Sequence, residues 1–148
     1  MIVLRNFLDG DAEIFQEKHS KHLSIDEIRA LFQKWNQKEY ESKYFEMFAI
    51  EKDKEIVGCI SLYQHSESVL SCGPEIFDGC RRQGYAKEAM MLAMDIAKSK
   101  GYKLFLQQIR VDNVASIALH NSLGFESDGY IYRNKKGSEV LIYLKILV

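Results

Sequence analysis

From Ser68 to Gly124 the chain reads as an extended run, a tight basic turn, an amphipathic helix, a buried strand and a short helix. That succession restricts the fold more than any other part of the sequence. Ala86, Ala89, Met90, Ala93, Met94 and Ala97 recur at helical spacing, and Gly101 is placed to end the helix. Lys103 to Ile109 then reads as a buried strand, and a helix from about Asn113 to Leu123 closes at Gly124. Strand, helix and strand in this order require a parallel crossover, hence a mixed sheet with helices packed on it. Gly73-Pro74 interrupts the extended run from Ser68 to Phe77. Proline inside a strand implies an edge, a bulge or a break in pairing, and a bulge there would splay the strand from its neighbour and open a slot.

The flanking segments fit the same scheme. Residues 2 to 5 form a short apolar strand, and Asp9 or Asp11 is placed to cap a helix carrying Ile14 and Phe15. Ser24 and Glu27 make a capping box for a second helix whose face is Ile28, Leu31, Phe32 and Trp35. Between these helices, Lys18-His19-Ser20-Lys21-His22 reads as a solvated connection with no ligand role. Phe45 to Ile50 and Ile56 to Leu62 flank the turn Lys52-Asp53-Lys54 as an antiparallel hairpin, and Phe125 to Ile131 with Val140 to Leu147 read as a closing hairpin. The resulting order, β-α-α-β-β-β-α-β-α-β-β, is an α/β fold expected to form one domain over residues 1–148.

Twenty basic and 21 acidic residues give a net charge of −1, which leaves out a broad electrostatic footprint for nucleic acid or an anionic membrane. Cys59, Cys72 and Cys80 are odd in number and lack C-x-x-C spacing; they read as small buried apolar residues of a reducing compartment, with no metal expected. The opening residues lack the charged start and apolar centre of a signal peptide, so the expected location is the cytoplasm.

The turn Arg81-Arg82-Gln83-Gly84-Tyr85-Ala86 sits where helix-opening N–H groups carry the positive end of the helix dipole, a junction able to hold a pyrophosphate. Gly84 permits close approach of the backbone, the arginines add charge, and small Ala86 leaves room for a bulky ligand. By itself Arg-x-x-Gly-x-Ala also fits an ordinary basic helix start. Asn113, Ser116 and His120, spaced by three and four, project along one helical face while Ile117, Ala118 and Leu123 serve the core. That stripe suits a ligand, although Asn113 as a simple cap and His120 in solvent fit the same spacing.

Taken together, Ile76 to Ala89 and Val111 to Phe125 resemble the GCN5-related N-acetyltransferases: the first run is similar to the family's Gln/Arg-x-x-Gly-x-Gly/Ala acetyl-CoA loop, the second to its Asn-x-x-Ser/Ala-Ile-x-Leu-Tyr-x-x-x-Gly-Phe segment. The resemblance implies a central mixed sheet splayed at a coenzyme slot and flanked by helices. It implies that backbone N–H groups of Arg81, Arg82, Gln83, Gly84, Tyr85 and Ala86 bind the pyrophosphate of acetyl-CoA, that Ile76 offers main-chain bonds to pantetheine, and that Asn113 and Ser116 contact the coenzyme. His120 stands where the family carries a tyrosine that protonates the departing thiolate, so a charged histidine is the expected acid, sensitive to pH near neutrality. Gln108 occupies the place of a glutamate that some members use as base, which closes that route; Glu75, beside the splayed strand, is read as a substitute base, directly or through water, while a solvated or structural carboxylate and catalysis by positioning alone fit the same residues. Cys80 reads as structural. The expected activity is direct transfer of acetyl from acetyl-CoA to a primary amine, a small molecule or a peptide N-terminus, with a noncatalytic acyl-CoA-binding sensor as the alternative. Gly73-Pro74-Glu75-Ile76 is most like the subgroup that acetylates ribosomal-protein N-termini. Lys18, Lys21, Arg133, Lys135 and Lys136 disfavour a polycation if they line the acceptor mouth, and a homodimer is left open.

Overall fold

The capping box read at Ser24 forms as expected: its Oγ accepts the Glu27 N–H at 3.1 Å while its own N–H donates to the Glu27 carboxylate at 3.0 Å. It starts helix α2 (Ile25–Trp35), which follows helix α1 (Ala12–Lys18). This computed structural model describes all residues 1–148, and they fall into two units, Met1–Gln64 with Cys72–Ala93, and His65–Ser71 with Met94–Val148. The whole is a mixed α/β fold, with four helices and an open sheet that has both parallel and antiparallel pairs. No helix is long and apolar enough to cross a membrane.

In the first unit, strand β1 (Ile2–Arg5) pairs antiparallel with β3 (Lys43–Lys52), and β3 forms the expected hairpin with β4 (Glu55–Ser66). The turn holds Asp53 and Lys54 at φ 52° and 70°, the left-handed pair that a two-residue hairpin turn requires. A two-residue strand, β2 (Glu39–Tyr40), also pairs with β3. It left no signal in the sequence because Lys38, Glu41 and Ser42 take positive φ where glycine is the usual marker. Phe7, Phe15, Ile28, Phe32, Ala49, Cys59 and Phe77 form the buried core. Phe7 stacks on Phe32 at 4.6 Å and meets Phe15 edge-on at 5.2 Å, contacts worth ~0.5–1.5 kcal/mol each beyond simple burial. Asp11 stands at the start of α1, but its carboxylate takes the Leu8 N–H at 2.7 Å and the Arg5 guanidinium at 2.9 Å, so it ties β1 to the helix.

Strand β5 (Val69–Ile76) passes through Gly73-Pro74 without ending. In the second unit its Val69 and Leu70 pair in parallel with Leu104 and Phe105 of β6 (Leu104–Arg110), the crossover that the strand-helix-strand order demanded. The connecting helix α3 (Tyr85–Ser99) ends in a Schellman motif, with Gly101 N–H on the Lys98 carbonyl, Tyr102 N–H on the Ala97 carbonyl, and Gly101 at φ 88°. Helix α4 (Val114–Ser122) ends the same way at Gly124, and β6 pairs antiparallel with β9 (Glu139–Ile146). The run from Phe125 to Ile131, expected as one strand, departs from that reading. It becomes β7 (Glu126–Ser127) and, further on, β8 (Tyr132–Arg133), both on β9. Between them the Asp128 carboxylate accepts the Tyr130 N–H at 2.9 Å and the Tyr132 hydroxyl at 2.8 Å, an Asx turn that competes with the ladder.

Candidate coenzyme and acceptor site

The turn that leads into α3 has an unusual backbone. Gly79, Arg82 and Gly84 take φ of 86°, 64° and 79°. Positive-φ residues reverse the course of the main chain, the kind of change that can aim several N–H groups at one anion, although here the Cys80 N–H is taken by the Phe77 carbonyl at 3.0 Å. The first helical bond of α3 runs from Glu88 N–H to the Gly84 carbonyl at 3.1 Å, so the N–H groups of Tyr85, Ala86 and Lys87 precede it and face out of the helix start. Arg82 takes its positive φ without being glycine, at a cost of ~1–3 kcal/mol, as Lys38, Glu41, Ser42, Asp53 and Lys54 do in turns elsewhere in the chain. A Cβ on Gly84 would meet nothing within 4 Å. Its restriction is therefore backbone conformation, not crowding by the protein.

The side chains of this turn fold back on it. Arg81 donates through Nε to the Ile76 carbonyl at 3.2 Å and pairs with Asp78 at 3.2 Å, while the Tyr85 hydroxyl donates to Gln83 at 3.0 Å. Arg81 and Gln83 thus brace the loop, and its main chain is what remains presented. At the end of β5, Phe77 N–H donates to the Val57 carbonyl at 2.9 Å. A Cβ on Gly58 would lie 2.3 Å from the Glu75 carbonyl oxygen and 3.0 Å from Ile76 Cα. Only glycine lets β4 come this near, so Gly58 sets the position of Glu75 and Ile76; no motif pointed to it.

Glu75 is exposed, and its Oε2 lies 2.9 Å from His19 Nε2. The solvated connection expected for His19 is therefore incomplete, because its ring is held: Nδ1 is 2.8 Å from the Ser20 hydroxyl and the ring stacks on Phe15 at 4.5 Å. A separation of 56 residues hides the pair from local sequence reading. Donor atoms of His19, Cys59 and Glu75 lie within 4.8 Å of one another, the one grouping of nitrogen, sulfur and oxygen donors near metal spacing. Burial, reinforced by the Glu75 charge, pushes the Cys59 thiol up to about 12. It stays protonated at neutral pH and is a poor nucleophile. Cys80 has no pairing partner and stays a free thiol, and burial also raises the Cys72 thiol.

In the second unit, the Asn113 Oδ1 accepts the Ser116 N–H at 3.1 Å and caps α4. Ser116 lies one turn before His120, and both are on that helix. The expected face is rotated, however: Ala118 is exposed and His120 is buried, with 3% of its surface accessible. His120 Nδ1 donates to the Ser116 carbonyl at 2.7 Å, which leaves Nε2 to accept from the Gln107 amide at 3.1 Å. These partners fix the neutral Nδ1–H form. Desolvation lowers the His120 pKa, opposed by the bond to the Ser116 carbonyl. A charged, pH-tuned proton donor is thus not what this environment favours. The neighbouring Gln108 is exposed, and the buried amide of Gln107 is the one that reaches the ring.

The chain matches the family model of the acetyltransferase (GNAT) domain over residues 2–126 and belongs to that family. It is an acetyl-CoA-dependent N-acetyltransferase. Solved structures share its fold. Mycobacterium smegmatis RimJ in complex with CoA-disulfide aligns at a TM-score of 0.82 and 14% identity, covering 98% of this chain and 81% of that one. The Salmonella typhimurium acetyl transferase that modifies the N-terminal serine of 50S ribosomal subunit protein L7/L12 aligns at 0.78 and 19%, covering 99% and 95%. Spermidine N-acetyltransferase from Vibrio cholerae, in complex with CoA and spermine, aligns at 0.78 and 16%, covering 99% and 95%. No curated protein matches the chain.

Proposed function

We propose that this acetyltransferase moves acetyl from acetyl-CoA to a primary amine, a small molecule or a peptide N-terminus, by direct attack in a ternary complex. The observation that carries the reading is the group of positive-φ residues Gly79, Arg82 and Gly84 leading into the opening N–H groups of α3, where such backbone turns and the helix dipole together favour a pyrophosphate. In this reading the N–H groups of Arg81 to Ala86 hold the phosphates. Ile76 offers its main chain to pantetheine once Arg81 releases the carbonyl, and Asn113 and Ser116 are assigned to the coenzyme on their motif. The amine lone pair attacks the thioester carbon, the carbon–sulfur bond breaks, and the amide and the thiolate part. Glu75 is assigned the proton lost by the amine nitrogen. His120, neutral and spoken for at both nitrogens, is assigned to holding Gln107 and the Ser116 turn, with water returning the proton to the thiolate. The amine acceptors of the structural relatives support a primary amine as the substrate class.

Acetyl-CoA titrated into the protein is expected to raise Tm, by about 2.7 kcal/mol of stabilisation at a hundredfold excess over Kd. Gly84→Val, which places a β-branched residue at φ 79° and a side chain in the path of the ligand, is expected to abolish that shift while the helical circular dichroism persists. Wild-type affinity in Gly84→Val would remove this loop from the coenzyme site.

A further inference from the structure

We propose, resting on the coenzyme reading above, that His19 is a positioning residue which fixes Glu75 as the proton acceptor for the amine. An ordinary surface ion pair joins two mobile side chains and contributes little. Here both partners stand on ordered backbone. The end of α1 is locked by His19 and Ser20 N–H groups, both on the Phe15 carbonyl at 2.9 and 3.1 Å, and by Leu23 N–H on the Ser20 carbonyl at 3.1 Å. The imidazole is then held on three sides, by Phe15 beneath it, by the Ser20 hydroxyl at Nδ1 and by Glu75 at Nε2. Ser20 is itself buried, at 4% exposure. On the other side, the close approach of β4 at Gly58 and the Phe77–Val57 bond fix the main chain of Glu75.

A carboxylate accepts hydrogen bonds and donates none, so Nε2 carries the proton between His19 and Glu75, and in the neutral ring Nδ1 accepts from the Ser20 hydroxyl. His19 thereby engages Oε2, no hydrogen bond from the protein engages Oε1, and the Glu75 side chain is 58% accessible. Glu75 immediately precedes Ile76, the residue assigned to pantetheine. The proton count closes simply. A neutral amine attacks the thioester carbonyl and forms an ammonium on the tetrahedral carbon; Oε1 takes one proton from that nitrogen; the carbon–sulfur bond breaks; the thiolate is protonated by water, and Glu75 returns its proton to solvent. Orientation of a base by a second group that does not touch substrate is how preorganised sites gain rate. The protonated Cys59 nearby offers no competing nucleophile.

The test measures CoA thiol release from acetyl-CoA above the protein-free rate. One arm uses a short peptide with an N-terminal serine; the other has no amine, so that water is the nucleophile and needs the same base. Glu75→Gln is expected to slow release ~10²-fold or more, within the usual worth of a general base. His19→Ala is expected to slow it roughly tenfold, with KM for acetyl-CoA unchanged, and adding it to Glu75→Gln is expected to cost nothing further, since residues that act as a unit are not additive. His19→Gln places an amide N–H near the position of Nε2 and is expected to recover most of the rate. Release within about twofold of wild type in both Glu75→Gln and His19→Ala overturns the pair, as does absence of release from a wild type that binds acetyl-CoA. Failure of His19→Gln to recover the rate overturns the positioning role. An absent acetyl-CoA Tm shift in the wild type instead brings down the coenzyme reading, a separate outcome.

Discussion

Two histidine pairs, one in each unit, use similar hydrogen-bond lengths to opposite ends. His19 meets a carboxylate at 2.9 Å where solvent reaches both partners. His120 meets the Gln107 amide at 3.1 Å in the interior. The first pair stands open to solvent; the second is a closed set of donors and acceptors whose burial disfavours the charged ring. The lesson is that a histidine's place in a motif does not by itself set its protonation state; its surroundings do.

The largest expected difference between the pairs is in stability. His120→Ala removes a buried ring packed edge-on to Phe125 at 4.8 Å and leaves the Gln107 amide without that acceptor, so a loss of ~2–4 kcal/mol is expected by urea denaturation. A loss below ~1 kcal/mol would show that the interior site is not closed as described. A smaller effect separates the pairs by pH. The folded His120 pKa lies below its ordinary 6.5, so below that pH the unfolded chain binds a proton that the folded chain resists. Stability from this group is complete above pH 6.5 and is lost as pH falls toward the folded value. His120→Phe is therefore expected to flatten the acid limb of the stability curve, measured as urea midpoints from pH 7 to 5; an unchanged limb would place the proton elsewhere. Smallest of all, His19→Ala is expected to shift stability by less than ~1 kcal/mol, as for partly exposed ion pairs. A larger loss in the same denaturation series would make the first pair structural too, and erase the contrast.

The sequence alone determined much of this molecule where the signals are local. Helix caps at Ser24, Gly101 and Gly124, a hairpin turn at Lys52-Asp53-Lys54, which the structure narrows to Asp53-Lys54, and the strand-helix-strand order each depend on residues a few positions apart, and backbone geometry leaves them few alternatives. The turn ahead of α3 was legible as a turn for the same reason, with Gly84 at a positive φ. What tertiary structure alone decided is what lies around each polar group. The spacing of Asn113, Ser116 and His120 put them on one helical face, yet it could not say that this face turns His120 inward to Gln107. The period of α4 is fixed by its residues, whereas its rotation is set by what packs against it. Likewise nothing near His19 announces Glu75, which the fold of the first unit brings to it across 56 residues. Hydrogen bonding and desolvation act through space, so the protonation and reach of these side chains became readable only once the chain had closed around them.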